Sequence, residues 1–236
     1  MRSDAYREFF VASLLMGPNS LRILDSMLEK HPLHFAPNDL VLDLGCGCGI
    51  TSLFTARETG ATVHAFDLWI SEGDNLERFA EWNMSDRLTP VNGDANDMPY
   101  APETFDAIVS VDSYHYFGCR EGFFVEKILP VVKNGGIVLI GVPGIKNEFD
   151  GRSEELLSPW LGDDAYMFQS ALRWKQILGA HEDIAEIETW EMPIFDIAWQ
   201  EWFATGHEYA LGDRKFFDDL IKPYTSFVGI MVRKKA

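Results

Sequence analysis

Positive charge is scarce in this chain of 236 residues. Lysine and arginine total 20 against 37 aspartates and glutamates, which gives a formal net charge of −17 at pH 7. The electric field of so much negative charge repels phosphate backbones and anionic lipids, so we expect neither nucleic acid nor a membrane surface as a partner. A small neutral or cationic substrate is compatible with this charge.

Cysteine is also scarce. Cys46, Cys48 and Cys119 are an odd number without a disulfide framework, which suits a reducing compartment. No Cys/His cluster follows Cys46 and Cys48, so we expect no metal site. The amino terminus carries Asp4 and Glu8 where a signal peptide would need an apolar core, and it is too short to span a bilayer. We therefore expect a cytoplasmic protein.

Short apolar runs alternate with segments of helical periodicity along most of the chain. Strands are expected at 40–44, 61–66, 88–91, 105–111, 137–142, 184–192 and 225–233. Helices are expected at 5–16, 50–59, 74–83, 121–132 and 170–178, and one more helix is expected to begin after Ser20 as its N-cap. Strand and helix alternation at this spacing predicts a doubly wound α/β sheet.

The alternation lapses after residue 143, where glycines and prolines lie among acids and aromatics and indicate a mobile connection. We expect one domain over 1–236, with a helical cap at 1–31 and lid or substrate insertions at 143–169 and 196–222. Loops at strand ends carry specificity, so aromatic side chains in this half are candidate walls of a substrate pocket. These are Trp160, Tyr166, Phe168, Trp174 and Trp202.

A glycine loop follows the first expected strand. Gly45, Gly47 and Gly49 alternate directly before a helix, and glycine lets a ligand approach the main chain without interference from a Cβ atom. A dinucleotide fingerprint counted from Gly45 requires its third glycine at position 50, which is Ile50. No Lys-Ser/Thr pair follows, so a phosphate-binding loop is excluded as well. The loop therefore predicts a different nucleotide-like ligand.

Carboxylates surround this loop. Asp43 precedes the first glycine, Asp67 ends the next strand, and Asp94 follows the third strand. A carboxylate at the position of Asp67 accepts hydrogen bonds from ribose hydroxyls. Three acids at successive strand ends suit a ligand with hydroxyls, an exocyclic amine and positive charge, and they would repel a pyrophosphate.

Four segments together resemble the class I S-adenosylmethionine-dependent methyltransferases, and within them the small-molecule branch of ubiquinone/menaquinone methylase-like proteins (methyltransferase type 11). The segments are VLDLGCGCGITSLF at 41–54, VHAFDLW at 63–69, VNGDANDMPYAPETFDAIVSVDSYHYF at 91–117 and LPVVKNGGIVLIGVP at 129–143. The resemblance implies a Rossmann-like, mostly parallel seven-stranded sheet with helices on both faces and an antiparallel final strand. It implies S-adenosyl-L-methionine as the cofactor.

The resemblance also implies where the methionine half of the cofactor binds. Asp43, Gly45, Cys46 and Gly47 would surround it, and Ser110 would lie near the sulfonium.

The adenosine half is assigned by the same resemblance. Asp67 would bind both ribose hydroxyls, with Leu68 and Trp69 beside the adenine. Asp94 would accept from the adenine amine, while the backbone of Ala95 would address a ring nitrogen.

Methyl transfer needs a base only if the acceptor must lose a proton. The methyl group is already activated, so the enzyme mainly holds the nucleophile and the methyl group close and aligned. The segment at 110–118 follows the fourth strand at the cofactor end, and it is where we look for such a base. His115 is a candidate proton acceptor, Asp112 would orient it or bind an ammonium group, and Tyr114 would position substrate.

Two hypotheses of different classes remain. The first is an enzyme that methylates a small molecule at nitrogen, oxygen or carbon, as a monomer or homodimer. The second is a protein that binds S-adenosylmethionine without catalysis, such as a sensor or assembly factor. A nicotinamide-dependent oxidoreductase is opposed by Ile50, and nucleic-acid methylation is opposed by the charge.

Overall fold

A seven-stranded sheet organises the protein. The computed structural model describes residues 1–36 and 39–236, with the backbone alone of Asp150. The strands are β1 (Leu40–Leu44), β2 (Thr62–Asp67), β3 (Leu88–Asn92), β4 (Phe105–Val111), β5 (Val132–Ile145), β6 (Ile184–Glu191) and β7 (Thr225–Lys234). Their order is β3-β2-β1-β4-β5-β7-β6, and only β7 runs antiparallel to its neighbours. The predicted fold class is confirmed.

Helices cover both faces of this sheet. The α-helices are α1 (Ser20–Lys30), α2 (Ile50–Thr59), α3 (Glu72–Glu81), α4 (His115–Gly118), α5 (Ser153–Leu161), α6 (Ala171–Leu178), α7 (Phe195–Ala204), α8 (Glu208–Asp213) and α9 (Lys222–Tyr224). Short 3₁₀ segments lie at Arg2–Phe9, Ala95–Asp97, Leu129–Val131, Phe149–Gly151 and Gly162–Met167, and π turns at Phe124–Ile128 and Phe217–Ile221. Across the described ranges, the helices are all too short or too polar to cross a membrane.

Alternate residues of the central strands face two separate cores. Val41 of β1 packs into a core with α1 and α2, whereas Leu42 and Leu44 pack into a second core beside α6. Successive side chains of a strand point to opposite faces, so a continuous apolar run is what a sheet covered on both sides requires. The glycine loop leaves β1 at the edge where neighbouring parallel strands also end.

Several expected elements differ in the structure. The segment predicted as a helix at 121–132 is a π turn followed by a 3₁₀ turn, where Pro130 lacks an amide hydrogen for an α-helical bond. The helix predicted at 5–16 is a 3₁₀ segment that ends at Phe9. Asn19, not Ser20, caps α1, since its side chain accepts a hydrogen bond from the Leu21 amide at 3.1 Å.

The expected irregular connection at 143–169 has its own structure. β5 extends through Ile145 because β7 pairs with it as far as Thr225. Helix α5 and the 3₁₀ segment Gly162–Met167 follow.

A buried ion network fastens the amino-terminal segment to the body. The Arg22 side chain of α1 is fully buried and donates two hydrogen bonds to Glu201 of α7, at 2.7 and 2.9 Å. It also pairs with Asp4 at 2.9 Å and donates to Ser3 Oγ at 2.9 Å. Planar, bidentate guanidinium pairing compensates the cost of burying the charge. Arg22 therefore joins the amino terminus, α1 and α7 in one unit.

We predict that Glu201→Gln lowers the free energy of unfolding by about 3 kcal/mol, because it leaves the buried Arg22 guanidinium short of a charged partner. Denaturation with urea, followed by circular dichroism, measures the effect. Glu121→Gln is the control, since Glu121 pairs with Arg173 on the exposed surface and its loss should cost less than about 1 kcal/mol. Equal losses in the two variants would contradict a structural role for the buried pair.

Candidate active site

A cavity of about 390 Å³ opens at the carboxyl ends of β1, β2 and β4. Open α/β sheets bind ligands in the crevice outside these strand ends. Its wall is formed by the glycine loop, by the loops after four strands, and by the amino-terminal segment at 14–20. Eight of the ten residues predicted to contact the cofactor line this cavity: Gly45, Cys46, Gly47, Asp67, Leu68, Trp69, Asp94 and Ala95.

The glycine loop has backbone angles that side chains rarely adopt. Gly45, Gly47 and Gly49 have φ values of 77°, 53° and 81°. A Cβ atom on Gly45 would overlap the Ser113 side chain, and one on Gly47 would lie 3.0 Å from the Met16 sulfur. A side chain at either position would therefore crowd its neighbours, and the left-handed φ values favour glycine as well.

Asp67 links the loops that follow β1 and β2. One carboxylate oxygen accepts from the Gly47 amide at 2.8 Å, and the other accepts from the amides of Trp69 and Ile70 at 2.8 and 2.9 Å. Its side chain also lines the cavity, with the residue only 7% exposed. A carboxylate offers about four acceptor sites, so capacity for a ligand hydroxyl remains.

Exposed apolar residues and a polar turn form the outer end of the cavity. Leu68 and Trp69 are 57% and 63% exposed, and the Trp69 ring meets Tyr116 edge-on at 5.2 Å. Asp94 caps the turn that begins at Ala95, and hydrogen bonds from the backbone and side chain of Asn96 lower its pKa. A planar base would have an apolar slot here with a carboxylate at its edge.

Two of the predicted cofactor residues lie beneath the cavity rather than in its wall. Asp43 is fully buried and accepts from the hydroxyls of Thr51 and Ser52, each at 2.6 Å, while burial raises its pKa to about 6. Ser110 is also fully buried and donates to the Leu44 carbonyl at 2.7 Å. These contacts brace the end of β1 and the start of α2.

Asp112 is the predicted catalytic residue that lines the cavity. Its φ of 55° is left-handed, and its amide donates to the Gly141 carbonyl at 2.7 Å. Its carboxylate lies against Gly17, where a Cβ atom would be 2.5 Å from Oδ2. Burial, together with the charge of Asp213, raises its pKa to about 7.

His115 and Tyr114 face away from the cavity. His115 is 4% exposed with its ring 4.1 Å from that of Tyr116, and burial lowers its pKa to about 3. Tyr114 is 1% exposed, packs against Trp174 in the second core, and has a pKa raised by burial. Neither side chain is among the residues that line the cavity.

Sequence patterns did not indicate several residues of the site. Asn75 of α3 is 2% exposed and donates to the Gly47 carbonyl at 3.0 Å. Ser113 donates to the Leu44 carbonyl at 2.9 Å and lines the cavity where Ser110 does not. Met16 lies over the glycine loop, in the part of the chain predicted as a cap. None of the five candidate aromatic walls contributes to the lining.

The sheet order, the left-handed glycine loop and the acids at successive strand ends define a Rossmann-like domain whose crevice suits an adenosyl ligand. Residues 41–136 match the model of a family described as a methyltransferase domain. The matched segment is less than half of the chain, and it agrees with the resemblance to the class I S-adenosylmethionine-dependent methyltransferases. The solved structure of phosphoethanolamine N-methyltransferase 2 of Haemonchus contortus, which has the same fold with a TM-score of 0.68 at 20% identity, contains S-adenosyl-L-methionine.

Known proteins share this domain. A sterol 24-C-methyltransferase of Clavispora lusitaniae is 28% identical over 126 residues, which are 53% of this chain and 33% of that protein. The erythromycin 3''-O-methyltransferase of Saccharopolyspora erythraea is 34% identical over 109 residues, 44% of this chain and 34% of that protein. The chain thus spans about a third of the length of these two curated relatives.

A solved structure shows the same fold over most of the chain. The geranyl diphosphate C-methyltransferase of Streptomyces coelicolor A3(2) superposes with a TM-score of 0.70 at 16% identity, covering 88% of this chain and 76% of that one. That structure contains S-adenosyl-L-homocysteine.

We predict that Gly45→Ala weakens S-adenosylmethionine binding by about tenfold or more, a loss of at least about 1.4 kcal/mol, since the new methyl group would collide with Ser113 at the cavity wall. Isothermal titration calorimetry measures the dissociation constant. Gly135→Ala is a matched control, because Gly135 has a similar φ of 75° but open space around it. Similar affinities in the two variants would show that the close approach at Gly45 is irrelevant to binding.

Proposed function

We propose that this chain transfers a methyl group from S-adenosylmethionine to a neutral or cationic small molecule that loses a proton to Asp112. The observation that carries the proposal is the composition of one cavity. The glycine loop, Asp67 and Asp94 lie on its cofactor side, and the Asp112 carboxylate lies in the same wall.

The residues at the strand ends fit the cofactor. Gly45, Cys46 and Gly47 would hold its methionine portion, while Asp67 would accept from the ribose hydroxyls. When bound, S-adenosylmethionine supplies a methyl group on a positively charged sulfur. A nucleophile attacks the methyl carbon in line with the carbon–sulfur bond and displaces the sulfur. The protein's contribution is to hold the two partners close and aligned for this displacement.

The charge of the cavity limits the acceptor. Among the described residues that line it, the acids Asp67, Asp94 and Asp112 occur without any lysine, arginine or histidine. An anionic acceptor would therefore meet repulsion with no compensating cation. The two curated relatives are named for methylation of a sterol carbon and of an erythromycin oxygen, so family likeness leaves the acceptor atom open.

Asp112 has the properties of a general base. An acid with a pKa near the working pH is both deprotonated often enough and basic enough to take a proton. Its carboxylate receives no hydrogen bond from the described side chains, so it is free to accept one from the acceptor molecule. As the new bond to the methyl carbon forms, the acceptor's proton passes to this carboxylate.

The surrounding segments complete the proposal. We place 1–31 as a cap over the cofactor and 143–169 and 196–222 as lids within one domain spanning 1–236. The net charge of −17 and three free cysteines support work in the cytoplasm without a nucleic-acid partner. Whether the protein acts as a monomer or a homodimer does not affect the chemistry proposed here.

We expect S-adenosylhomocysteine to form when the protein is incubated with S-adenosylmethionine and a panel of hydroxylated, phenolic and amine acceptors. With an active acceptor, Asp112→Asn should lower kcat by about 10²-fold or more, because the amide cannot take the proton. The wild-type rate should fall as the pH drops below about 7, since the carboxyl with the raised pKa then becomes protonated. Mass spectrometry of both products measures the rates.

Asp86→Asn is the control, because Asp86 is exposed and contributes nothing to the cavity wall. Retention of the wild-type rate and pH profile in Asp112→Asn would refute the assigned base. Tight cofactor binding without product for any acceptor would favour a protein that binds S-adenosylmethionine without catalysis.

A further inference from the structure

Gly17 lies directly against the carboxylate of Asp112, and both residues line the cavity. A Cβ atom at position 17 would be 2.5 Å from Oδ2 and 3.7 Å from Cγ of Asp112. The first separation is too short for two non-bonded atoms, so one of them would have to move. Gly17 lies outside the left-handed region that favours glycine, so it is the space taken by Asp112 that opposes a side chain there.

The chain on either side of Gly17 is anchored to the body of the protein. Leu15 is 2% exposed and packs in the core that contains α1 and α2. Asn19 is fully buried, and its amide donates to the Ala198 carbonyl of α7 at 3.1 Å. The Asn19 side chain donates to Glu201 of the same helix at 2.7 Å. The backbone at position 17 therefore has little freedom to retreat from Asp112.

The backbone of Asp112 is held as well. Its amide donates to the Gly141 carbonyl at 2.7 Å, and its φ of 55° is one that few residues other than glycine adopt. Gly141 packs closely on α1, since a Cβ atom there would be 2.5 Å from the Ile23 side chain. A left-handed aspartate persists only where the surrounding structure holds it, and such residues are concentrated at functional sites.

The carboxylate is therefore the part of this contact that can move. It lies at the end of a rotatable side chain, and within the part of the chain that the structure describes no side chain donates a hydrogen bond to it. Its place in the cavity wall is set by packing. Gly17 contributes to that packing a hydrogen atom where every other residue type has a Cβ atom.

We propose that Gly17 is a positioning residue for Asp112, because its missing side chain leaves the niche in which the carboxylate faces the acceptor. This role rests on the proposed function, in which Asp112 takes the acceptor's proton. A base must lie within about 2.6–3.2 Å of the atom whose proton it removes. A methyl group at position 17 would push the carboxylate out of its niche, and a misplacement of about 1 Å is enough to slow such a step strongly.

The step that depends on this position conserves atoms and charge. The acceptor's bond to hydrogen breaks, and its electron pair forms the new bond to the methyl carbon. The carbon–sulfur bond breaks and its electron pair stays on the sulfur of S-adenosylhomocysteine. The proton moves to Asp112 and then to solvent through the cavity mouth.

Carbon-13 NMR of protein labelled at the aspartate carboxyl carbons tests the contact without an acceptor. The Asp112 signal is identified by its loss in Asp112→Asn. We expect Gly17→Ala to move this signal by more than its line width and to leave the melting temperature near that of the wild type, because rotation of one side chain relieves the collision. Gly212→Ala in α8 is the matched control, since open space surrounds the new methyl group and the signal should not move.

The contact is overturned by an unmoved Asp112 signal in Gly17→Ala, or by an equal movement in Gly212→Ala. If Gly17→Ala does not fold, the double variant Gly17→Ala/Asp112→Gly decides, because it removes the carboxylate and glycine tolerates the left-handed φ. A double variant that folds like Asp112→Gly supports the contact. A double variant that also fails to fold overturns it.

Kinetics with an active acceptor test the positioning role. Gly17→Ala should lower kcat by about tenfold or more and change the dissociation constant of S-adenosylmethionine by less than about threefold, because the displaced group acts in the reaction and not in cofactor binding. Gly212→Ala should keep both values. An unchanged kcat in Gly17→Ala, or a loss of cofactor affinity as large as the loss of kcat, overturns the role.

The two readouts also separate this inference from the proposed function. If the Asp112 signal moves in Gly17→Ala but no acceptor yields S-adenosylhomocysteine, Gly17 still places the carboxylate and the methyl-transfer proposal fails. If an acceptor is methylated but the signal stays unmoved, the methyl-transfer proposal stands and the role of Gly17 fails.

Discussion

The carboxylate of Asp67 holds together the two loops on which the site depends. It accepts the Gly47 amide from the loop after β1 and the amides of Trp69 and Ile70 from the loop after β2. The Phe66 carbonyl adds bonds from the start of the glycine loop, at 2.8 and 3.1 Å. The left-handed glycines can keep their conformation because their amides have fixed acceptors. The same contacts place the Trp69 ring at the mouth of the cavity, so one side chain sets both the depth of the cavity and its outer edge.

The fold was predictable where local pattern and tertiary environment agree. The continuous apolar runs of β1 and β4 and the glycine before Ile50 gave correct boundaries, because burial on both sheet faces and the left-handed turn leave few alternatives. The segment after Pro143 was harder. Helix α5 contains Pro159 and two acids, and packing against the rest of the chain overrides its weak helical pattern. The π turn at 124–128 has no periodicity of its own that a sequence could show.

The cofactor side of the site was easier to predict from the sequence than the acceptor side, for a related reason. Asp67 ends β2 and Asp94 lies two residues after β3, so their place at the sheet edge can be inferred from the order of elements, although the depth of Asp43 below the cavity cannot. The acceptor side depends on backbone direction. The left-handed φ of Asp112 turns its side chain into the cavity, while His115, the more usual type of base, begins α4 and packs inward.

The buried and cavity-lining acids of this protein differ chiefly in which groups donate hydrogen bonds to their carboxylates. Asp67 has three backbone amides, Asp43 has two hydroxyls and Asp213 has two indoles, so each carboxylate is occupied in holding neighbouring segments in place. Asp112 lacks a donor in the described chain and faces the cavity. A buried carboxyl without donors costs free energy as an anion, and a proton relieves that cost. The lack of donors, which would be a defect in a core, therefore leaves this carboxyl available at the cavity wall to accept a proton from an acceptor molecule.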